Sequence, residues 1–396
     1  MRKLLVIFSL LLWQYGALTA QTNPQPMAKL IDEQFKFAAE QYKVLAKNVP
    51  TDKMPKTFYP STGKSENSNT GWWCSGFFPG SLLYIYEYTK DAGALAEAKA
   101  RLALLEKEKL NKGTHDLGFM MYCSFGNAYR LLKDPAYKSV IDESAASLST
   151  RYHPEAKVIQ SWNSSSAWSG PVIIDNMMNL ELLNWVTDNG GDKKYKDIAV
   201  NHANSTIQNH FRPDYSSYHV LDYDMKNGNV IKKVTAQGAA DSSAWARGQA
   251  WGLYGYTVMY RQTKDKKYLE QAQHIARFML HDRNMPADKI PYWDYDAPGI
   301  PNTYRDASAG AVMASALLEL AQYVGKKDRK EYLNVAETAL RTLSSDVYRV
   351  KLGENGGFLL AHSVGSLPHK SEIDVPLTYA DYYYLEALLR YKNWYL

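Results

Sequence analysis

Thr263-Lys264-Asp265-Lys266-Lys267-Tyr268-Leu269 joins two periodic stretches, and the same short signal returns along the chain. Its counterparts are Tyr88-Thr89-Lys90-Asp91, Leu132-Lys133-Asp134-Pro135-Ala136-Tyr137 and Gly325-Lys326-Lys327-Asp328, with a looser copy at Asp188-Asn189-Gly190-Gly191-Asp192. Each reads as a turn between two helices, after which a periodic run resumes. The segment before each turn is rich in Gly, Ala and aromatic residues; the one after it is more amphipathic. Six segments of the first kind are expected at about 74–89, 117–132, 175–187, 244–262, 306–324 and 377–391. Six amphipathic partners are expected at about 27–46, 92–108, 136–150, 192–210, 265–281 and 328–345.

Repeating helix hairpins mean an α-solenoid or a closed ring. The irregular intervals and long insertions favour the ring. The last inner segment, Tyr379 to Tyr395, has no following partner and the first outer helix has no preceding one, so the two can pair and close it. The expected fold is all-α: an (α/α)6 toroid of six helical hairpins, one domain over residues 21–396. Two insertions read as β-hairpins at the rim. Tyr218–Asp224 and Val230–Val234 flank Asn227-Gly228, a strong hairpin signal. The other is Gly353–Pro368. Asn48–Asn69, broken by prolines, Ser and Lys, reads as a loop.

Composition sets the class. Apolar residues make up 45% of the 396 and charged residues 22%, as in ordinary globular proteins. Arg2 and Lys3, the apolar run Leu4–Trp13 and the small residues ending at Ala20 read as a secretory signal peptide over 1–20, cut after Ala20. The expected mature protein is soluble and exported to the periplasm. Removing Arg2 and Lys3 takes the formal charge from +5 to +3. That is too mild for a nucleic-acid partner, and no later stretch is long and apolar enough for a membrane span. Cys74 and Cys123 do not make a disulfide framework and read as buried apolar residues.

The chemistry gathers where inner segments begin. Ser169-Gly170-Pro171-Val172-Ile173-Ile174-Asp175-Asn176-Met177-Met178 places a carboxylate after three apolar side chains. Desolvation raises a carboxyl pKa, as a proton donor near neutral pH requires; an Asp at this place is also an ordinary helix cap. Asp116, in Thr114-His115-Asp116-Leu117-Gly118-Phe119, opens the preceding inner helix. In a ring of like helices the two carboxylates fall on one rim, where proximity raises one pKa further. Ala236-Gln237-Gly238 through Trp245-Ala246-Arg247-Gly248-Gln249-Ala250-Trp251 sets Arg247 and Trp251 at i and i+4. An Arg suits a carboxylate and an indole suits a sugar ring; a structural ion pair and a core Trp are the plainer readings. His115, His219 and Trp73 are weaker candidates. Ser366 and Lys370, in the loop 363–371, could meet an anion. There is no zinc motif, phosphate loop or nucleophile elbow. Asp222–Gly228 fails as a calcium loop because Lys226 and Lys233 stand where ligands should be. Asn163-Ser164-Ser165 and Asn204-Ser205-Thr206 are glycosylation sequons of the kind frequent by chance.

His115-Asp116-Leu117-Gly118-Phe119, Ile174-Asp175-Asn176-Met177-Met178-Asn179 and Gln237-Gly238 through Trp251, together with Trp73 and Gly76-Phe77, resemble the unsaturated glucuronyl hydrolases over nearly the whole mature chain. That family is an (α/α)6 barrel acting on lyase-generated oligosaccharides that end in a 4,5-unsaturated uronic acid. The resemblance implies hydration of the C4=C5 enol ether, with Asp175 as acid and then base and Asp116 as supporting carboxylate. It further implies that His219, Gln237 and Arg247 contact the uronate and that Trp73 and Trp251 pack on its ring. It implies a small oligosaccharide, of glycosaminoglycan type (chondroitin, hyaluronan or heparin), and neither metal nor organic cofactor. The rival readings are an unsaturated rhamnogalacturonyl hydrolase, a toroidal polysaccharide lyase and a helical-repeat binding protein.

Overall fold

Lys90, Lys133 and Lys264 explain the recurring turn. In the computed structural model, which describes residues 25–396, all three take left-handed backbone, at φ 61°, 58° and 59°. Each ends a helix by donating its N–H back to the carbonyl of Tyr86, Tyr129 or Tyr260. The Asp that follows caps the next helix. Asp91 accepts from the Ala94 N–H, Asp134 from Ala136 and Asp265 from Lys267. A Lys-Asp pair thus stops one helix and starts another with no intervening loop.

The helices, in chain order, are α1 (Met27–Asn48), α2 (Phe77–Thr89), α3 (Ala92–Leu105), α4 (Asn127–Leu132), α5 (Pro135–Ser149), α6 (Leu180–Asp188), α7 (Lys193–Asn209), α8 (Ala246–Thr263), α9 (Lys266–His281), α10 (Ala307–Leu320), α11 (Lys326–Leu343) and α12 (Thr378–Tyr395). A π-helical stretch, Gly118–Gly126, leads into α4, and a 3-10 turn, Ile174–Met178, leads into α6. The inner wall runs α2, the π-helical stretch, α6, α8, α10 and α12, each touching the next, and α12 returns to α2. The ring is closed. α3, α5, α7, α9 and α11 each pack outside the inner helix before them, while α1 covers both α2 and α12. The six-hairpin toroid expected from the turns is the observed architecture.

Burial separates the two layers. Every residue of α10 from Ala307 to Leu320 is buried. In α9 the buried set is Tyr268, Gln271, Ala272, Ile275, Ala276, Met279 and Leu280, the single face of an outer helix. Each fully buried aliphatic side chain contributes about 1.5–3 kcal/mol, so the inner wall carries most of the hydrophobic stabilisation.

The strands are short and lie among the insertions: β1 (Met54–Tyr59), β2 (Lys64–Ser68), β3 (Tyr152–His153), β4 (Val158–Ile159), β5 (Pro171–Ile173), β6 (Val220–Tyr223), β7 (Val230–Val234), β8 (Ser363–Ser366) and β9 (Ser371–Val375). Two expectations need correction. The stretch Asn48–Asn69 is not a loop, because β1 and β2 pair across it as an antiparallel hairpin. The hairpin expected over Gly353–Pro368 sits later, between β8 and β9, while Gly356-Gly357 makes a 3-10 turn with both glycines at positive φ. The Asn227-Gly228 hairpin forms as expected but gains a third strand, β5, on its β6 side.

The signal peptide expected over Met1–Ala20 lies outside the described residues. Cys74 is buried, Cys123 is half-buried, and neither is in a disulfide. Among the described residues no helix is long and apolar enough to cross a membrane.

Candidate active site

β5 decides where Asp175 goes. Pairing of Ile173 with Val220 sets β5 against β6, and the Ile174 N–H donates to the His219 carbonyl at 3.1 Å. The chain then enters the 3-10 turn that carries Asp175, directly beside the His219 side chain. Val172 and Ile173 are therefore a buried strand end, and Ile174 opens the 3-10 turn.

Asp175 is 8% exposed, and its side chain caps no helix. Burial pushes its carboxyl up to about 7; Arg247 works against that rise and Asp116 adds to it. The indole N–H of Trp251 is near enough to favour the charged form, without the alignment of a full hydrogen bond. Asp175 Oδ2 has no hydrogen-bond partner among the described residues, and His219 Nε2, equally without one, faces it at 3.7 Å. His219 Nδ1 accepts from the backbone N–H groups of Ala236 and Gln237, both at 3.1 Å. The ring proton must then lie on Nε2, aimed at Asp175. Burial holds the His219 pKa down at about 3, so it is a neutral donor.

Asp116 reaches the same rim through close backbone approach. A Cβ on Gly118 would lie 2.4 Å from the Cα of Asn179, so only glycine lets this segment meet the one carrying Asp175. Asn179 Oδ1 then accepts from the Phe119 N–H at 3.0 Å. Asp116 Oδ2 accepts from the Thr114 hydroxyl at 2.9 Å, and Oδ1 lies 3.3 Å from His115 Nε2. A π-helical stretch begins two residues later, as often happens beside functional groups.

The other candidates divide. Trp73 is half-buried at the mouth and packs on Tyr379 and Phe119, at centroid distances of 4.8 and 5.4 Å. Gln237 is half-buried and donates through Nε2 to the Gly365 carbonyl at 3.0 Å. Two expectations, for Trp251 and His115, give way, and Arg247 has a structural role. Trp251 is fully buried, its ring covered by Phe119 and Tyr383, so it offers no face to a sugar. His115 is 4% exposed and is held by Asp116 and Asn176, which makes it a support for the carboxylate and not a substrate contact. Arg247 pairs with Asp306 at 2.9 Å, and its terminal nitrogens donate to the carbonyls of Val364 and Gly365, both at 2.5 Å. Those bonds clamp β8 over the site, while Arg247 Nε has no hydrogen-bond partner among the described residues. Ser366 is buried and bonds to His369 at 2.7 Å, while Lys370 is exposed at the β8–β9 tip.

Sequence reading missed Asn176 and Asp306. In the sequence Asn176 reads as part of a helix start; an amide beside a buried acid is the signal of its role. Asp306, in Asp306-Ala307-Ser308, accepts from the Ser308 N–H at 3.0 Å as a cap while also holding Arg247. Its spacing from Ser308 showed the cap; nothing local showed the arginine.

A cavity of about 420 Å³ lies away from Asp175, towards the end of the ring where the inner helices finish. Its Glu386 accepts from Tyr84, Tyr254 and Ser315, and its Glu181 pairs with Arg261. No acidic oxygen there is left over in the way Asp175 Oδ2 is. Among the described residues no cluster of His, Cys, Asp and Glu is arranged to hold a metal ion.

Comparison with known proteins places the chain among relatives of one family. A family model described as Glycosyl Hydrolase Family 88 matches residues 47–395. An unsaturated glucuronyl hydrolase from Formosa agariphila is 49% identical over 325 residues, spanning 81% of this chain and 80% of that protein. The crystal structure of an unsaturated glucuronyl hydrolase specific for heparin superimposes with a TM-score of 0.89 at 48% identity, covering 92% of this chain and 97% of that one. A variant of the Streptococcus agalactiae unsaturated glucuronyl hydrolase, complexed with dGlcA-GalNAc6S, matches with a TM-score of 0.80 at 29% identity over 94% of this chain and 95% of that one.

Proposed function

We propose a substrate and a reaction for this chain on one premise: it belongs to glycosyl hydrolase family 88 and is a glycoside hydrolase. The substrate is a small oligosaccharide, a lyase-generated glycosaminoglycan disaccharide ending in a 4,5-unsaturated uronic acid. Support comes from the heparin specificity of one relative and the disaccharide bound to another.

The observation that carries the reaction is Asp175: buried, with a carboxyl near 7 and one oxygen unpaired opposite the His219 N–H. In its acid form Asp175 gives a proton to C4, and positive charge develops at C5, shared with the ring oxygen. The carboxylate left behind takes a proton from water as that water adds to C5, which returns Asp175 to its starting state. The C5 hemiketal then opens and rearranges, and the glycosidic bond breaks. An acid that becomes a base within one turnover works best with a pKa near the working pH, which burial provides here. His219 supplies a neutral N–H at the same place and so does not compete for the proton. Trp73 stands at the mouth for the sugar ring, and Ser366 with Lys370 lie where a sulfate on the second sugar would be met. The leader over Met1–Ala20 directs the enzyme to the periplasm, where such fragments arrive.

The test is absorbance of the conjugated alkene-carboxylate in chondroitin, heparin and pectin lyase products. Wild-type protein should remove it from a glycosaminoglycan disaccharide, and Asp175→Asn should be slower by about 10²–10⁴-fold. Loss with pectin products alone would select a rhamnogalacturonyl substrate. A rise on intact polymer would mean a lyase, and no change anywhere would sink the hydration.

A further inference from the structure

The two histidines at this site are fixed in opposite tautomers, and one of them leaves a proton to be placed. Asn176 donates through Nδ2 to the Ile159 carbonyl at 2.7 Å and to the Ser161 hydroxyl at 3.1 Å. A carbonyl only accepts, so the amide orientation is settled and Oδ1 points at His115 Nδ1, 2.5 Å away. His115 Nδ1 must then carry a hydrogen. In a singly protonated ring that leaves Nε2 with a bare lone pair, 3.3 Å from Asp116 Oδ1. His115 is buried and Asp116 half-buried; two lone pairs at this distance repel, and a second proton between them, on nitrogen or on oxygen, removes the repulsion.

We infer that Asn176 is a positioning residue that makes His115 and Asp116 hold one shared proton, so that Asp175 works beside a carboxylate screened by that proton and not beside a bare one. The inference rests on the hydration by Asp175 proposed above and adds what sets its acid strength. Asn176 follows Asp175 in the chain and is wholly buried, so the turn that delivers the acid also fixes the charge state of its neighbour. Burial holds the His115 pKa below its ordinary value and nearby Arg151 adds to that, while Asp116 and Asn176 work the other way; the second proton follows from the facing lone pairs and not from that shift. Around Asp175 the remaining charged or titratable groups are Arg247 from α8 and His219 from the residue before β6. Arg247 is a fixed cation paired with Asp306, and His219 is held uncharged, so the His115–Asp116 pair is the adjustable charge.

The experiment is the pH profile of kcat/KM on an unsaturated disaccharide. In His115→Gln the new amide donates to Asp116 with no extra proton, and the pair becomes a net anion. Asp175 then keeps its proton to higher pH, and the alkaline limb should move up by about one unit. Asn176→Leu frees His115 to carry its one proton on Nε2 and should move the limb the same way. A role in folding alone would lower kcat and leave the limb in place, which would overturn the inference. Neutron diffraction of the unsubstituted enzyme at neutral pH gives an answer that needs no variant. Deuterons on Nδ1 and between Nε2 and Asp116 are expected, and a bare Nδ1 would refute the shared proton. If wild-type protein turns over no unsaturated disaccharide, the hydration reading fails by itself, and the neutron map still decides the pair.

Discussion

Asp175 and Asp381 are the same residue in nearly the same circumstances. Both lie at the rim where inner helices begin, both are buried, and burial pushes both carboxyls up to about 7. Their partners separate them. Asp381 accepts from the N–H of Leu359 at 2.9 Å, from the N–H of Leu360 at 3.0 Å and from the hydroxyl of Tyr42 at 3.2 Å. It ties α12 to α1 and to the loop before β8. Asp175 keeps Oδ2 unpaired, against an equally unpaired imidazole N–H. A shifted pKa therefore marks burial, and the unsatisfied oxygen marks the reactive acid.

The sharpest way to break this contrast is the pH dependence of stability. Asp175 is raised from 3.8 to about 7, so the folded state binds its proton more tightly than the unfolded chain does. The resulting stabilisation is complete below about pH 4 and is lost as pH rises towards 7. Asp175→Asn cannot ionise, so over that window wild type should lose roughly 2–4 kcal/mol that the variant does not. Urea melts of both proteins at pH 4 and pH 8 check this, and parallel curves would show that Asp175 stays ionised.

Next in size is Asp381→Asn. One carboxylate oxygen becomes an NH2 group facing buried donors, so stability should fall by about 1–3 kcal/mol while kcat at a permissive temperature stays within about twofold. A collapse of kcat in well-folded protein would place Asp381 with the chemistry. The smallest effect expected is at Lys370, which is exposed and forms no ion pair within the described residues. Lys370→Ala should raise KM for sulfated disaccharides by about 2–5-fold, less at high salt, and leave unsulfated ones unchanged. An equal change for both would remove sulfate from its role.

How much of this was legible in the chain depended on range. The ring could be read because its signals are local. A left-handed Lys followed by a capping Asp needs only neighbouring residues, and the outer faces repeat with helical period. Asp175 and Asp116 could be picked out for the same reason, each being a carboxylate at the head of an apolar helix. Arg247 and Trp251 show where local reading fails. Their i, i+4 spacing is real, but which partner an arginine finds depends on Asp306 and on the carbonyls of Val364 and Gly365, distant in sequence and brought close by β8.

The sequence by itself determined the number of hairpins, the closure of the ring and the rim on which the carboxylates would stand. Periodicity, capping and turn chemistry act over a few residues and need no knowledge of the rest. Only the tertiary structure decided which of those groups face one another. β5 joining β6 set Asp175 opposite His219, Gly118 let the Asp116 segment approach, and Asn176 chose the tautomer of His115. Hydrogen-bond satisfaction in a buried site is a property of the packed whole, because each donor's acceptor comes from another part of the chain.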